Sequence, residues 1–547
     1  MVSSTEHDDK APLSRRAVLG TGATTLLLAS CAKAPNSPKS TQAPRYAPSP
    51  PRAPEDYPDL VFEPAGLTAR LAVDKLTFGP TPGLVAAVDA IGVSAWIEQQ
   101  LSPGALPAGD SHLVDSVTLS NDNAANGYLH TFNDQRCEEE LTHATVLRAR
   151  YSERQLYELM CDFWQNHFNI WLDSKYYRWF KNQDYRTVVR ANAFGKFSDM
   201  LVASAKSPAM LLYLDNFSSN AFAVGGVNEN YARELLELHT LGILSGQQVY
   251  TEADMRGVAK VMSGWTFGTD YGASQQQFTF VSGAHSREAV SILNGAWSRP
   301  ARPDGNGLAD GESLLRFLAR HRSTARYLSW KLAVRFVSDS PSNALIEHLA
   351  DVYQANDTAI VPWLRALFAS DDFAASGKKK VRRPFEQLIA VLRALNASID
   401  SASNDQAADN IREMLESGGQ RLFGQQSPDG YPDRANYWVS TDGLVKRWSL
   451  AGAAAANRLT DPRLGHIINT NLAALFPTAA PGANVATTLI QLAATVGNFT
   501  LTDDGAAAIA AGVRLDPSGP ASGLLNDSNK RTQAIGLLLA HPLFQRR

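Results

Sequence analysis

Three short stretches of this sequence gather side chains able to move protons or hold a polar substrate. The first is Asp162-Phe163-Trp164-Gln165-Asn166-His167. On a helix His167 falls on the stripe of Met160 and Phe163 and faces the interior, whereas Asp162 and Asn166 share another face at i, i+4. An interior histidine either satisfies one buried neighbour or lines a cleft as base or ligand. The second stretch runs from Asn228 to His239. At about 100° per residue Asn230, Glu234 and Glu237 fall together, while Tyr231, Leu235 and Leu238 form the apolar arc. Arg233 can pair with Glu237 or Glu229 on a solvated face. The third is Ser427-Pro428-Asp429-Gly430-Tyr431-Pro432-Asp433, followed by Asn436-Tyr437-Trp438. Pro-Asp-Gly is turn chemistry. Aromatics beside carboxylates suit a sugar-binding rim, and equally a packed structural loop.

Together these residues suggest acid–base cleavage of a glycan. Asp162, His167, Glu234 and Glu237 would supply acid and base. Asn166, Asn230, Asp429, Tyr431 and Trp438 would contact substrate. The helices bearing His167 and Glu234 are expected to pack together, with a carboxylate beside the imidazole favouring the charged form of both. No metal site is assigned. His239 stands roughly 140° from Glu234, so one helix cannot present both to one ion. The spacing also differs from the Glu-x-x-His of di-iron bundles. There is no HExxH helix, no GxSxG elbow, no CxxC pair and no P-loop. The cofactor is left open.

The elements that must position these groups read as helices. Ser152 with Gln155 has capping-box spacing ahead of an apolar stripe that reaches Trp171. Asn228 can cap 229–241, with Gly242 as its stop, and Thr251 with Asp254 opens a helix to about Met262. Further helices are expected over 324–337, 344–354, 384–395, 407–415, 442–457 and 530–539. Strand-like alternation is confined to short pieces, chiefly 277–281. The fold class is therefore all-α, a multi-helical body with a short irregular or β insertion near 268–311.

The N-terminal region carries a different message. Ser14-Arg15-Arg16 precedes an apolar run, Ala17 to Ser30, of about fourteen residues, short of the ~20 that span a bilayer. The twin arginines resemble the leader of proteins exported already folded. Leu28-Ala29-Ser30-Cys31 looks like a lipobox that would leave an acylated Cys31 as the new N-terminus, joining the chain to a membrane. The expected divisions are a signal peptide at 1–31, a Pro/Ser/Ala-rich disordered tether at 32–65 and a helical domain at 66–547. About 480 residues exceed what one core usually organises, so two subdomains are expected. Lys+Arg 51 against Asp+Glu 54 gives no electrostatic case for nucleic acid. Cys137 and Cys161 remain once Cys31 is acylated; an oxidising compartment permits a bond between them without establishing one.

Leu76-Thr77-Phe78-Gly79-Pro80-Thr81-Pro82, the 162–167 and 228–242 segments, Tyr250-Thr251-Glu252-Ala253-Asp254 and Gly264-Trp265-Thr266 resemble successive blocks of the domain-of-unknown-function 1800 family. So do Ser323-Thr324-Ala325, Lys331-Leu332, Pro384-Phe385-Glu386, the 427–433 segment and His541-Pro542-Leu543-Phe544-Gln545. The resemblance spans about Leu67 to Arg547. It implies a bacterial, often exported protein, commonly encoded beside an exported sulfatase-like family, and it transfers no catalytic residue. One departure is visible: the family pattern of His-Asp, then Lys before Ile-Leu-Gly, is here His285-Ser286 and Ile292-Leu293-Asn294. Three functions stay open. They are an extracytoplasmic hydrolase of a cell-envelope or environmental polysaccharide, a surface lipoprotein that docks a partner such as the sulfatase-like protein, and a metal-binding or redox protein.

Overall fold

Helices α1 (Ala69–Leu76), α2 (Asp134–Tyr151) and α3 (Gln155–His167) open the body of this computed structural model. It describes residues 66–107, 119, 134–172, 175–243, 248–268, 277–399, 404–459, 468–476 and 482–547. The leader with Arg15, Arg16 and Cys31, the tether at 32–65 and positions 269–276 of the insertion lie outside the described residues. α3 starts without the expected box. Gln155 instead sutures three segments, its Oε1 accepting from Phe78 N at 3.0 Å while its Nε2 donates to the carbonyls of Ala149 and Ser152. The helix stops at His167, short of Trp171, and Asn169 beyond it donates to the carbonyls of Gln425 and Ser427.

The expected helix over 229–241 is realised in two geometries. α4 (Asn230–Glu234) widens directly into a π turn, Leu235–His239. Thr240 Oγ1 closes the widened turn on the Leu235 carbonyl at 2.5 Å, and Gly242 N donates to Leu236 O. Gly242 has φ +69°, and a Cβ there would lie 2.4 Å from the Tyr327 ring. Only glycine fits both demands. α5 (Glu252–Met262) has the expected capping box, with Thr251 and Asp254 each bonding the other's backbone.

The insertion holds two antiparallel ribbons, β1 (Trp265–Phe267) with β2 (Phe278–Phe280) and β3 (Val290–Ile292) with β4 (Trp297–Arg299). His285 anchors it: the residue is buried, with Nδ1 2.8 Å from the Ser263 carbonyl. Asn294, where the family pattern has glycine, sits at φ +55°. Asparagine tolerates that region better than other side chains, so the departure leaves the turn intact.

α6 (Arg322–Phe336) packs on α7 (Asn343–Ala355), and α8 (Pro384–Ala394) begins with proline at its first position. α9 (Asn404–Ser417) lies against α2. α10 (Thr441–Ala455) and α11 (Ser528–Ala540) approach closely through small residues, with Gly536 over Gly452 and Ala455. Among the described residues, buried apolar side chains form one contiguous cluster from Ala69 to Phe544. Trp164 sits at its centre with Nε1 satisfied by the Ala193 carbonyl; truncating such a side chain to alanine costs about 3–5 kcal/mol. Cys137 and Cys161 are buried and not joined by a disulfide. Among the described residues no helix is long and apolar enough to cross a membrane.

Candidate functional site

One face of α6 carries Tyr327, Trp330, Lys331, Val334 and Arg335 at three- and four-residue spacing, and all five line a cleft of about 320 Å³. Opposite them the π turn supplies Glu237, α3 supplies Asn166, and the 429–434 loop closes the rim. The rings of Tyr327 and Trp330 stack at 6.1 Å, and the Arg434 guanidinium lies 5.4 Å over Trp330. The wall is thus aromatic and the mouth polar.

Asn166 holds the loop. Its Oδ1 accepts from Tyr431 N at 2.8 Å and its Nδ2 donates to Tyr431 O at 2.9 Å, a two-point clamp on the backbone of one residue. Gly430, at φ +76°, lets the turn pass: a Cβ there would stand 2.2 Å from the Asn166 carbonyl. Trp438 is buried, with Nε1 donating to Pro432 O, and Tyr431 donates its hydroxyl to Arg421 O. Asn230 reaches the Leu214 carbonyl. Asn166, Asn230 and Trp438 therefore position backbone in this structure, while Asp429 and Tyr431 line the cleft.

Beneath the cleft lies a buried ion network. Asp162 pairs with Arg383 and, at 3.3 Å, with Arg335. Glu386 takes Arg335 at 2.5 Å and Arg547 at 3.1 Å, and Asp433 lies between Arg335 and Lys380. Despite the cost of burial, the surrounding guanidinium groups hold Glu386 well below the usual carboxylate range. Asp162 is committed to this network and not free as acid or base.

His167 also differs from expectation. Its Nδ1 lies 3.0 Å from Lys331 Nζ and its Nε2 3.2 Å from the His239 carbonyl. A neutral ring with its proton on Nε2 satisfies both: Lys331 donates to Nδ1, and Nε2–H donates to the carbonyl. Burial, then the Lys331 charge, holds its pKa well below the ordinary value. The expected imidazolium–carboxylate pair with Glu234 is replaced by a neutral imidazole under a lysine. Likewise Arg233 meets Glu252 at 3.6 Å rather than Glu229 or Glu237.

What converges on the cleft is a set of carboxylates and one amine. Among the described residues Glu234, Glu237 and Asp429 carry no ion pair or side-chain hydrogen bond. Burial, helped by Glu237 and Asp429, raises the Glu234 carboxyl to about 7, and burial also raises Glu237. Burial brings the Lys331 ammonium down to about 8, opposed by Asp429. Glu237, Asp429 and Lys331 line the cleft together, an arrangement suited to proton transfer, whereas Glu234 is not among its lining residues. Lys331, Trp330 and Tyr327 were missed from sequence, although their spacing on α6 was open to reading. Among the described residues no three His, Cys, Asp or Glu side chains gather at metal-binding spacing.

No curated protein and no solved structure gives a significant match to the chain. A family model described as "Protein of unknown function (DUF1800)" matches residues 71–546, nearly the whole chain. The chain belongs to the DUF1800 family.

Proposed function

We propose that this protein is an extracytoplasmic hydrolase that cleaves a glycan by acid–base catalysis in the α6 cleft. The observation that carries the reading is the meeting of unpaired Glu237 and Asp429 with a lowered-pKa Lys331 in a sugar-sized space walled by Tyr327, Trp330 and Tyr431. In this reading the Glu237 carboxylate takes a proton from water as its oxygen attacks the anomeric carbon. The Lys331 ammonium gives a proton to the departing glycosidic oxygen. Asp429 holds substrate hydroxyls, and the aromatic wall stacks on the apolar face of a sugar ring. The test is release of new reducing ends from a panel of envelope and environmental polysaccharides. Glu237→Gln and Asp429→Asn should remove the activity while leaving the free energy of unfolding within about 1 kcal/mol of wild type. Equal activity in both variants would sink the assignment.

The same reading places the protein outside the cytoplasm, exported by its twin arginines and held by lipid on Cys31. Arg15→Lys with Arg16→Lys should leave unprocessed precursor in the cytoplasm, and Cys31→Ala should abolish acyl labelling and membrane retention. Normal export of the first variant, or retention of the second, overturns the corresponding step. A second reading, docking of a partner protein, is favoured by Val445 and Trp448. They lie three apart on α10, each about half exposed at 50% and 51%.

A further inference from the structure

A second cleft, of about 330 Å³, opens where the turn after α1 meets the ends of α2 and α8. The turn is the Thr77-Phe78-Gly79-Pro80-Thr81 block, and its own hydrogen bonds fix it. Thr77 Oγ1 donates toward Val73 O and Gly79 O, and Gly79 N donates back to Thr77 Oγ1. Gly79, at φ +150°, packs so closely that a Cβ would lie 2.7 Å from Ala390 Cα. This geometry presents the Gly79 carbonyl to Arg393 Nε at 2.7 Å.

Arg393 is 4% exposed and Arg150 6%, and both line the cleft. Arg393 donates one further bond, to the Arg150 carbonyl; Arg150 donates to Ala397 O and to Asn396 Oδ1. Every one of these partners is a neutral oxygen. Among the described residues neither guanidinium has a carboxylate partner, whereas buried Arg335, Arg382 and Arg383 each have one. Arg393 Nη2 and Arg150 Nη1 carry no hydrogen bond among the described residues. Glu153, the acid that lines this cleft, is exposed and paired with neither. Burial and the neighbouring Arg150 charge lower Arg393 to about 9, and burial lowers Arg150. Two adjacent buried cations without a counter-charge are costly unless something anionic joins them. Part of the wall is apolar, with Leu84, Ile91 and Trp96 facing the same space, and part is polar, with Thr81, Gln99 and Gln100.

We propose that this cleft binds a small organic oxyanion, a carboxylate or phosphate monoester, with its anionic group on Arg150 and Arg393 and its apolar body against Trp96. The site is independent of the α6 cleft and of the reading given to it. Guanidinium groups match such oxyanions with two parallel hydrogen bonds.

The experiment is thermal unfolding and calorimetric titration of the full-length protein with phenyl phosphate, benzoate and inorganic phosphate, against chloride at equal ionic strength. Phenyl phosphate or benzoate should raise the melting temperature with saturation, and whichever is tighter names the anionic group. Inorganic phosphate should bind more weakly and chloride should do nothing. Arg393→Gln should weaken binding at least about tenfold. If that variant fails to fold, Ala87→Trp serves. It fills the cleft from an exposed position, keeps both arginines, and should abolish the saturable shift. No shift with any of the anions, or equal shifts in Ala87→Trp and wild type, overturns the proposal.

Discussion

Lys331 is the residue on which the chemistry of the α6 cleft turns. Its ammonium sits on the neutral His167 ring, and burial has lowered its pKa to about 8. A proton donor at that value works near neutral pH and stops working as pH rises through it. With Glu237 as base, activity should climb as that raised carboxyl ionises, then fall through about pH 8. Lys331→Met should cut the rate about 10²- to 10⁴-fold and erase the alkaline limb. A full pH–rate profile of both proteins checks this; an alkaline limb that survives in Lys331→Met would exclude Lys331 as the donor. His167 was legible in sequence as interior, because its place on the Met160 and Phe163 stripe is a matter of period alone. Its partner was not legible. A lysine 164 positions away cannot be inferred from local spacing, and a helical wheel supplies only the near neighbours.

At the scale of elements, the 429–434 loop depends on a clamp rather than on its own turn chemistry. Asn166 binds both backbone polar groups of Tyr431, and Gly430 threads beside the Asn166 backbone. Gly430→Ala would place a methyl into that backbone and into a positive-φ position, so about 1–3 kcal/mol should be lost. Tyr431 should be displaced with the loop, so substrate affinity should fall along with stability. Urea unfolding and a KM measurement test this; an unchanged midpoint would mean the loop is not clamped. Helices with a cap and an uninterrupted stripe, such as α5 and α6, were legible in sequence. The π turn after α4 was not, because its apolar arc reads equally well as a continuous helix. That widened turn determines where Glu237 and the His239 carbonyl point. Asp162 illustrates the other shortfall: its face on α3 was right, but what the face met, Arg335 and Arg383, lay far along the chain.

The whole molecule buries several imidazoles that must stay neutral. His143, His167 and His239 are each 1% exposed; burial lowers His143 to about 4 and His239 to about 3, and holds His167 well below its ordinary value. Below the unfolded value of about 6.5 the unfolded chain binds more protons, so stability falls as pH drops. Each such histidine contributes about 1.4 kcal/mol per pH unit in that window, until the folded pKa is reached. Glu386 and Asp433, both depressed by their cationic neighbours, add a second loss below about pH 4. The three rings together outweigh the opposing gain from protonating the raised Glu234 carboxyl in the same interval, so the urea midpoint should drop between pH 7.5 and 5.5. A flat midpoint across that interval would show that these rings are not held neutral. The Asn166 clamp also bears on the order of events in folding. Its two partners are 265 positions apart, and Lys331 and His167 are 164 apart. Loops of that length close late, after local helices have formed, so the cleft belongs to the final stage of the reaction. Loosening the clamp should therefore speed unfolding while leaving the refolding rate nearly untouched.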